Sequence, residues 1–415
     1  MKIPVVLKNK NYVKLLAGMS ISKLGDSFFL IALPLLVYEL TKSPSLMAFG
    51  YVLEILPMVL FSLFGGALAD QMSKKKIMVI GDITSSLLIV TVPLAYSFGV
   101  LEVWMVYVVI FCIASVSAFY HPCFESVVPE VLQNDNLVQG NSLFKFVETI
   151  TTFTGPSIAG VMVALLGTAN VLYVDSLSFV LSAMFVSMVT LHKVEKKSGM
   201  PAIVQPIKEG LRYVFRTKII WLGTLFIFLI NVGYGAVEAL FMFYLKGHLK
   251  LPAPEIGIIF SCQMAGSFLA IYLANRMKHI PRGNLMIYAG FAIGVGQVML
   301  VVSQSFVIGL VLCRMVILGS TTLLAINWFT LRQEVVPKEL LGRVISSTRM
   351  VSFLAVPFSG MIAGVTAEYV SVGVVFLTSG IFVLFFSLIT LRTMLHKRIG
   401  KTDEPFSRKG EVGSL

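Results

Sequence analysis

Residues 65–76 read GGALADQMSKKK, and this stretch joins a long apolar run to a cluster of lysines. Two glycines close the apolar run, and Asp70 stands between them and Lys74, Lys75 and Lys76. An apolar run of about 20 residues that ends in basic residues is typical of a membrane-spanning helix. The stretch therefore predicts a helix that crosses a bilayer and is anchored at one end by positive charges.

The composition of the chain indicates a membrane protein. Of 415 residues, 57% are hydrophobic and 13% are charged, and the mean hydropathy is +0.88. A soluble domain carries about 25% charged residues, and a soluble fold of this length could not bury so many apolar side chains. The net charge of +12 is attributed to basic loops, so no nucleic-acid partner is expected. We expect no cleaved signal peptide, because no small-residue cleavage site follows a short apolar core at the N-terminus.

Twelve apolar segments are long enough to span a bilayer, and they divide six and six around the polar stretch 191–218. Apolar residues within that stretch recur at helical spacing and predict an amphipathic helix. The predicted spans are 13–38, 46–69, 77–98, 101–122, 143–166, 170–190, 219–245, 255–276, 284–303, 306–329, 343–366 and 370–391. The fourth span is predicted to end at His121 and Pro122. The predicted fold class is an all-α integral membrane protein with twelve transmembrane helices in two pseudo-symmetric six-helix bundles.

The distribution of lysine and arginine predicts the topology. One set of loops is rich in both, whereas the opposite loops hold only Lys42, Lys246 and Lys250. Cytoplasmic loops collect Lys and Arg, so we expect a multi-pass protein of the bacterial inner membrane with both termini in the cytoplasm. The predicted parts are an N-terminal six-helix bundle (1–190), a cytoplasmic linker (191–218), a C-terminal six-helix bundle (219–392) and a cytoplasmic tail (393–415).

Short patterns recur in the two halves at a separation of about 200 residues. LADQM at 68–72 corresponds to LANRM at 273–277, and VVPE at 127–130 corresponds to VVPK at 335–338. Pro156 and Gly160 correspond to Pro357 and Gly360. Three matches in the same order predict that the halves are related structurally, as in transporters built from internal repeats.

These features together resemble the major facilitator superfamily. The stretch 65–76 is similar to the signature between spans two and three, G-x-x-x-D-R/K-x-G-R/K-R/K. It matches at Gly66, Asp70, Lys74 and Lys75 and departs at Gln71 and Ser73. GPSIAG at 155–160 is similar to the antiporter motif through Gly155, Pro156 and Gly160. The stretches NDNLVQGNSL, YVDSLSFVLSA, EGLRYVFRTK and VVPKELLGRVISS look like the macrolide-efflux and enterobactin-exporter branch.

The resemblance implies a secondary active transporter that works by alternating access and is not an enzyme. It implies proton-coupled export of amphipathic small molecules, drugs such as macrolides, powered by the proton motive force without a cofactor. Gly66, Asp70, Lys74 and Lys75 would form a latch on one conformation, although the lysines could serve only as an anchor in the headgroups. Segment 101–122 lacks the mid-span arginine that drug–proton antiporters usually carry, a departure from the usual coupling route.

Charged residues at bilayer depth are the candidates for coupling and for the cavity, because each costs about 2.5–3.5 kcal/mol to insert. Asp26 lies deepest, and Lys23 lies one helical turn before it. Asp26 could carry a proton, or the two residues could form a static ion pair. Glu238, Asn231 and Arg314 lie in spans seven and ten, which the resemblance places at the central cavity. Glu54 lies in span two, where a structural role is the alternative.

A second charged group is predicted near the cytoplasmic ends of the helices. Lys145 and Glu148 in span five, with Arg349 in span eleven, are interpreted as an inner gate. The four cysteines match no zinc-binding pattern, and no metal site is expected.

The substrate stays open at the level of the sequence, and a siderophore or lysophospholipid transporter of the same fold is the alternative. An ATP-driven pump is excluded, since Leu395 stands where a phosphate loop ending in Gly400-Lys401-Thr402 needs its first glycine. We expect a monomer in the lipid bilayer with a small-molecule substrate.

Overall fold

The computed structural model describes residues 5–71, 73–132, 136–190, 204–277, 279–303 and 306–396. Over these ranges the chain forms fifteen α-helices. They are α1 (Lys10–Thr41), α2 (Pro44–Gln71), α3 (Lys74–Ser97), α4 (Val103–Val131), α5 (Leu137–Leu166), α6 (Val171–Ser187), α7 (Val204–Arg216), α8 (Lys218–Phe243), α9 (Ala253–Cys262), α10 (Met264–Arg276), α11 (Arg282–Val302), α12 (Val307–Val335), α13 (Lys338–Phe353), α14 (Ala355–Tyr369) and α15 (Val372–Thr390).

The twelve predicted transmembrane helices are confirmed. In the described part of the chain, eleven helical segments are long and apolar enough to cross a bilayer, and α6 is a shorter apolar helix. α9 with α10 forms one segment, and α13 with α14 forms another. Large apolar side chains project outward from these helices, among them Leu87, Leu165 and Ile308, which are 63%, 73% and 76% exposed. In a membrane protein such side chains face the lipid.

Several helix boundaries differ from the sequence-based expectation, and two of the differences concern prolines. α4 continues to Val131, so the predicted end at His121 and Pro122 is wrong. Span eleven is broken between α13 and α14 at Leu354. The break is next to Phe353. In an unbroken helix the carbonyl of Phe353 would clash with the ring of Pro357, four residues later.

The two bundles repeat the same internal packing. In the first bundle α1 packs on α5 and α6, α3 packs on α4 and α6, and α2 packs on α4. In the second bundle α8 packs on α14 and α15, α11 packs on α12 and α15, and α10 packs on α12. Each contact in one bundle therefore has its counterpart in the other, which confirms the pseudo-symmetric architecture.

The linker helix α7 packs on the second bundle. Gly210 lies against the backbone of Arg343 and the hydroxyl of Ser347 on α13, and Glu209 forms an ion pair with Arg343. The Tyr213 hydroxyl donates to the carbonyl of Val335 at 3.3 Å. The amphipathic helix forms, and its partner is α13. Residues 191–203 of the predicted linker and the tail from 397 lie outside the described residues.

The two bundles contact each other mainly along two helix pairs, α5 with α9 and α2 with α14. At the first pair, a side chain at Gly160 would clash with the carbonyl of Ala253, and one at Gly257 would clash with the carbonyl of Pro156. The Ser157 and Ser261 hydroxyls are hydrogen-bonded at 2.7 Å. The backbones of α5 and α9 therefore touch directly, as glycine permits between membrane helices.

The second pair closes the same end of the molecule. Gly364 of α14 lies against Ser45 and Ala48 of α2. The Glu368 carboxylate accepts hydrogen bonds from the hydroxyls of Ser43 and Ser45, the latter at 2.6 Å. This end is opposite to the chain termini. Toward the termini, α5 makes no comparable contact with α10, the continuation of α9, so among the described helices the bundles part at that end.

A disulfide trap should hold the closed end together. In a variant with Cys112, Cys123, Cys262 and Cys313 replaced by serine, we expect Ser157→Cys with Ser261→Cys to crosslink on mild oxidation, because the two hydroxyl oxygens are 2.7 Å apart. The measurement is a non-reducing gel after cleavage at a protease site introduced into the linker. The crosslinked halves should stay together, each single-cysteine variant should separate, and separation of the double variant would contradict the packing.

Candidate functional site: charged groups in the interior of the bundles

An ion pair between α8 and α12 forms the most enclosed charged group of the second bundle. Arg314 donates from Nη1 to Glu238 Oε1 at 2.5 Å and from Nη2 to Oε2 at 3.1 Å. Its Nε donates to Gln263 Oε1 at 2.9 Å, and the guanidinium lies 4.1 Å from the centre of the Phe241 ring. Arg314 is 1% exposed. A two-point contact of this kind fixes both side chains, which is the geometry for which arginine is suited.

Three helices combine to build this group. Glu238 and Arg314 face each other because α8 and α12 bring them to the same depth, and Gln263 is supplied by the break between α9 and α10. A buried ion pair offsets the cost of desolvating both charges only when such additional hydrogen bonds are present.

An open cavity lies between the two bundles beside this ion pair, and its volume is about 740 Å³ including the solvent at its mouth. α1, α2 and α4 of the first bundle and α8 and α9 of the second contribute to its wall. The lining includes the rings of Phe29, Tyr51 and Phe260, the side chains of Leu33 and Met242, and the carboxylates of Glu54 and Glu238. Ligand pockets are largely apolar with a few polar groups, and the lining of this cavity has that character.

Glu54 differs from Glu238 in its surroundings. It lies on α2 and is half-buried at the cavity wall. None of the hydrogen bonds or ion pairs of the described residues involves its carboxylate. The structural role considered for Glu54 stays a prediction.

The Lys23–Asp26 pair lies in a second cleft, inside the first bundle. The Lys23 ammonium is 3.1 Å from Asp26 Oδ2, and the Asp26 side chain is 46% exposed. The cleft has a volume of about 680 Å³ including its open mouth. Residues 23, 26, 30, 33 and 37 share one face of α1, so a single helix face lines this cleft and then the cavity between the bundles.

Two carboxylates of the first bundle are buried where the sequence did not predict it: Asp82 was missed, and the interpretation of Asp175 as an interfacial residue is wrong. Asp82 on α3 accepts a hydrogen bond from the Ser182 hydroxyl at 2.8 Å and lines the same cleft as Asp26. Asp175 on α6 is fully buried against Gly25, and within the described structure neither of its side-chain oxygens has a hydrogen-bond partner. The sequence contained the signal for a buried charge at both positions, because each is an acidic residue inside a predicted span. The same pattern had identified Asp26 as a candidate.

The residues of the predicted inner gate are only partly together. Lys145 Nζ lies 2.6 Å from Glu148 Oε2, and both residues line the cleft of Asp26. Arg349 instead lies beside Met58 and over the ring of Phe353. In this conformation the described residues do not form a network of all three, because the bundles are parted at this end.

Asn231 lies apart from the Glu238 pair. Its amide donates to the carbonyl of Ser352 at 2.9 Å, a contact that ties α8 to α13. The spacing of Asn231 from Glu238 along α8 predicted that Asn231 faces the cavity. In the structure its amide instead donates to a carbonyl next to the break at Leu354.

The motif at 65–76 forms the end of α2 and the start of α3. The Asp70 side chain and the surroundings of Gly66 lie outside the described part of the structure. Lys74 Nζ lies 2.5 Å from Glu130 Oε1 at the end of α4, and Lys75 is half-buried. Lys74 therefore connects α3 to α4, which a pure headgroup anchor would not do.

The antiporter motif lies where α5 contacts two partners. A side chain at Gly155 would clash with Ser27 of α1, while Pro156 and Gly160 pack on α9 of the other bundle. The motif thus occupies the narrowest junction between the bundles. Among the described residues, no group of three or more His, Cys, Asp or Glu side chains is placed to hold a metal ion.

Comparisons with known proteins give the same architecture. The chain is 24% identical over 438 residues to the uncharacterized MFS-type transporter YfiS of Bacillus subtilis, covering 100% of both chains. It is 24% identical to macrolide efflux protein A of Streptococcus pyogenes (90% of this chain, 93% of that one) and 26% identical to the multidrug efflux pump Tap of Mycolicibacterium fortuitum (88% and 91%).

Solved structures share the fold at low identity. A point mutant of the nucleoside transporter NupG superposes with a TM-score of 0.78 at 14% identity, covering 93% of this chain and 100% of that one. A bacterial homologue of the iron transporter ferroportin, in an inward-facing state, superposes with a TM-score of 0.70 at 15% identity (92% and 99%). These likenesses establish the fold alone.

The family model described as transmembrane secretion effector matches residues 5–408, nearly the whole chain. Two repeated six-helix bundles around a central cavity agree with that match. The chain is therefore a multi-pass membrane transporter of the major facilitator superfamily and belongs to the family described as transmembrane secretion effector.

Proposed function

We propose that this transporter exports amphipathic small molecules from the bacterial cytoplasm in exchange for protons, and that drugs such as macrolides are among its substrates. The observation that carries the proposal is the cavity between the bundles, whose wall combines aromatic rings and carboxylates. An amphipathic molecule needs both kinds of surface, whereas a sugar would need more hydroxyl and amide partners. Relatives named for macrolide and multidrug efflux support this reading.

The direction of loading follows from the topology proposed here. The bias of Lys and Arg toward the loops at the terminal end favours cytoplasmic termini in the inner membrane. With that orientation, the contacts of α5 with α9 and of α2 with α14 close the periplasmic end, and the bundles part toward the cytoplasm. The conformation described here would then be the one that takes up substrate for export.

Proton coupling is assigned to Asp26 and Lys23. In the conformation open to the cytoplasm, the ionised Asp26 pairs with Lys23 at 3.1 Å at the edge of an accessible cleft. In the opposite conformation, a proton from outside would neutralise Asp26 and release Lys23, and the return step would deliver that proton to the cytoplasm. One proton moving down about 100 mV supplies roughly 2.3 kcal/mol. In this scheme the proton motive force is the only energy source, and no cofactor takes part. The proposed working unit is a monomer.

The signature residues keep their predicted roles in this scheme. Gly66 and Asp70, with Lys74 and Lys75, are proposed to stabilise the outward-facing conformation, and Lys145, Glu148 and Arg349 are proposed to meet when the cytoplasmic end closes. The contact between Lys74 and Glu130 supports a role in holding helices, since it joins α3 to α4.

Replacement of Asp26 by asparagine should abolish proton-coupled export. The amide has nearly the same shape but cannot exchange a proton, so erythromycin-driven proton movement across proteoliposomes, followed with a pH-sensitive dye, should fall to background. Glu102→Gln, at an exposed carboxylate on an outer loop, is the matched control and should retain wild-type flux. Wild-type flux in Asp26→Asn would remove this residue from coupling. Flux with lysophospholipid or a siderophore, and none with erythromycin, would favour the alternative substrates.

Removal of one partner of the Glu238–Arg314 pair should destabilise the protein more than removal of both charges. Glu238→Gln or Arg314→Gln alone leaves a buried charge without its counter-ion, at a cost of about 3–5 kcal/mol, whereas neutralising both is often nearly neutral. The measurement is the unfolding temperature in detergent. Both single variants should unfold at lower temperature than the double variant, and an additive loss in the double variant would contradict a coupled pair.

A further inference from the structure

The cleft inside the first bundle holds more negative than positive side chains. Its described lining includes two lysines, Lys23 and Lys145, and three carboxylates, Asp26, Asp82 and Glu148. Lys23 pairs with Asp26 at 3.1 Å, and Lys145 pairs with Glu148 at 2.6 Å. Both lysines are thus used, and within the described structure no ion pair involves the third carboxylate, Asp82.

Asp82 is also the most enclosed carboxylate of this cleft. It is 1% exposed, whereas Asp26 and Glu148 are half-buried. The Ser182 hydroxyl of α6 donates to its Oδ2 at 2.8 Å, and Tyr120 of α4 lines the cleft beside it. Hydroxyl groups do not offset the cost of burying an ionised carboxylate, and a group in such a place takes up a proton instead.

The internal repeat shows that the packing around Asp82 does not need a carboxylate. The contact of α3 with α6 in the first bundle corresponds to that of α11 with α15 in the second. Ser182 meets Asp82 in the first pair. Ser387 meets Gly290 in the second, where an added Cβ would lie 2.6 Å from the Ser387 hydroxyl. The second bundle therefore builds the same junction with a glycine, which indicates a function other than packing for Asp82.

We propose that Asp82 is the residue to which Asp26 passes its proton, so that the two carboxylates share one proton and Lys23 balances whichever of them is ionised. The inference rests on the proposed export function, because it supplies the step by which Asp26 loses its proton. In this step the O–H bond of Asp26 breaks, an O–H bond forms on Asp82, and the ionised Asp26 pairs with Lys23. Water entering the open cleft carries the proton between the two carboxylates.

The conformation described here is the one that follows the transfer. Asp26 is paired with Lys23, and the proton resides on Asp82. Release to the cytoplasm then proceeds through the mouth of the cleft, past Lys145 and Glu148. Asp82 thus lies on the exit route of the proton, inside the first bundle, whereas the cavity between the bundles has a lining that shares no residue with this cleft.

Infrared spectroscopy of the purified full-length chain in lipid nanodiscs tests the shared proton at neutral pH, without substrate or proton gradient. A protonated carboxyl group has a C=O stretching band that an ionised carboxylate lacks. We expect Asp82→Asn to remove one such band from the wild-type spectrum, and Asp82→Ser to do so without adding an amide. Asp26→Asn should remove the same band, because Lys23 would then balance an ionised Asp82. Glu102→Gln, at an exposed carboxylate, should remove none.

The transfer itself is tested by erythromycin-driven proton flux in proteoliposomes. We expect Asp82→Asn to lower this flux by about tenfold or more, because the proton of Asp26 loses its acceptor. Asp175→Asn is the matched control, since Asp175 is a buried carboxylate of the same bundle that does not line the cleft. Its flux should stay within about twofold of the wild type.

Three outcomes would overturn the proposal. They are a spectrum with no band that responds to Asp82→Asn, a band that persists in Asp26→Asn, and wild-type flux in Asp82→Asn. Because the spectra involve neither substrate nor transport, they decide the shared proton even if erythromycin drives no flux. Failure of the export function would leave the spectra unchanged, and absence of the band would leave the flux result for Asp26→Asn unchanged.

Discussion

The direct contact of the backbones of α5 and α9 is the constraint on which the rest of the structure depends. Gly160 and Gly257 allow the two helices to touch where a larger residue would meet a carbonyl. Because the repeat relates α5 with α9 to α2 with α14, the same end of the molecule is closed on both sides of the cavity. Two closely packed pairs at one end leave room between the bundles at the other. The position of the cavity therefore follows from a few small residues.

Three of the interior carboxylates lie in three different settings. Glu238 is held by two bonds from Arg314, Asp26 is paired with Lys23 beside an accessible cleft, and Glu54 has no partner among the described residues. A carboxylate that is fixed by two bonds serves best as structure. One that is paired near water suits proton exchange. The environment of each group thus separates the proposed roles.

Much of the architecture could be predicted from the sequence, because apolar length and the position of basic residues are set by the bilayer itself. The twelve spans and the two bundles follow from these signals, and Glu238 and Arg314 share a depth that follows from counting along their helices. The rotation of a helix about its axis is set by packing instead, and it determines which neighbours Asn231 and Arg349 contact. Asn231 turns toward α13, and Arg349 turns toward Phe353. Asp82 was overlooked and Asp175 was placed at the membrane interface, because spans three and six carried no expectation of a polar interior.

The attachment of α7 to α13 links the motion of the second bundle to the lipid surface. The helix carries Lys208, Arg212 and Arg216 and is fastened to the second bundle through Glu209 and Tyr213. A rocking motion of that bundle would carry these three cations along the surface of the inner leaflet. Since anionic headgroups attract such residues by about 1 kcal/mol each, the balance between the two conformations should depend on the phospholipid composition of the host.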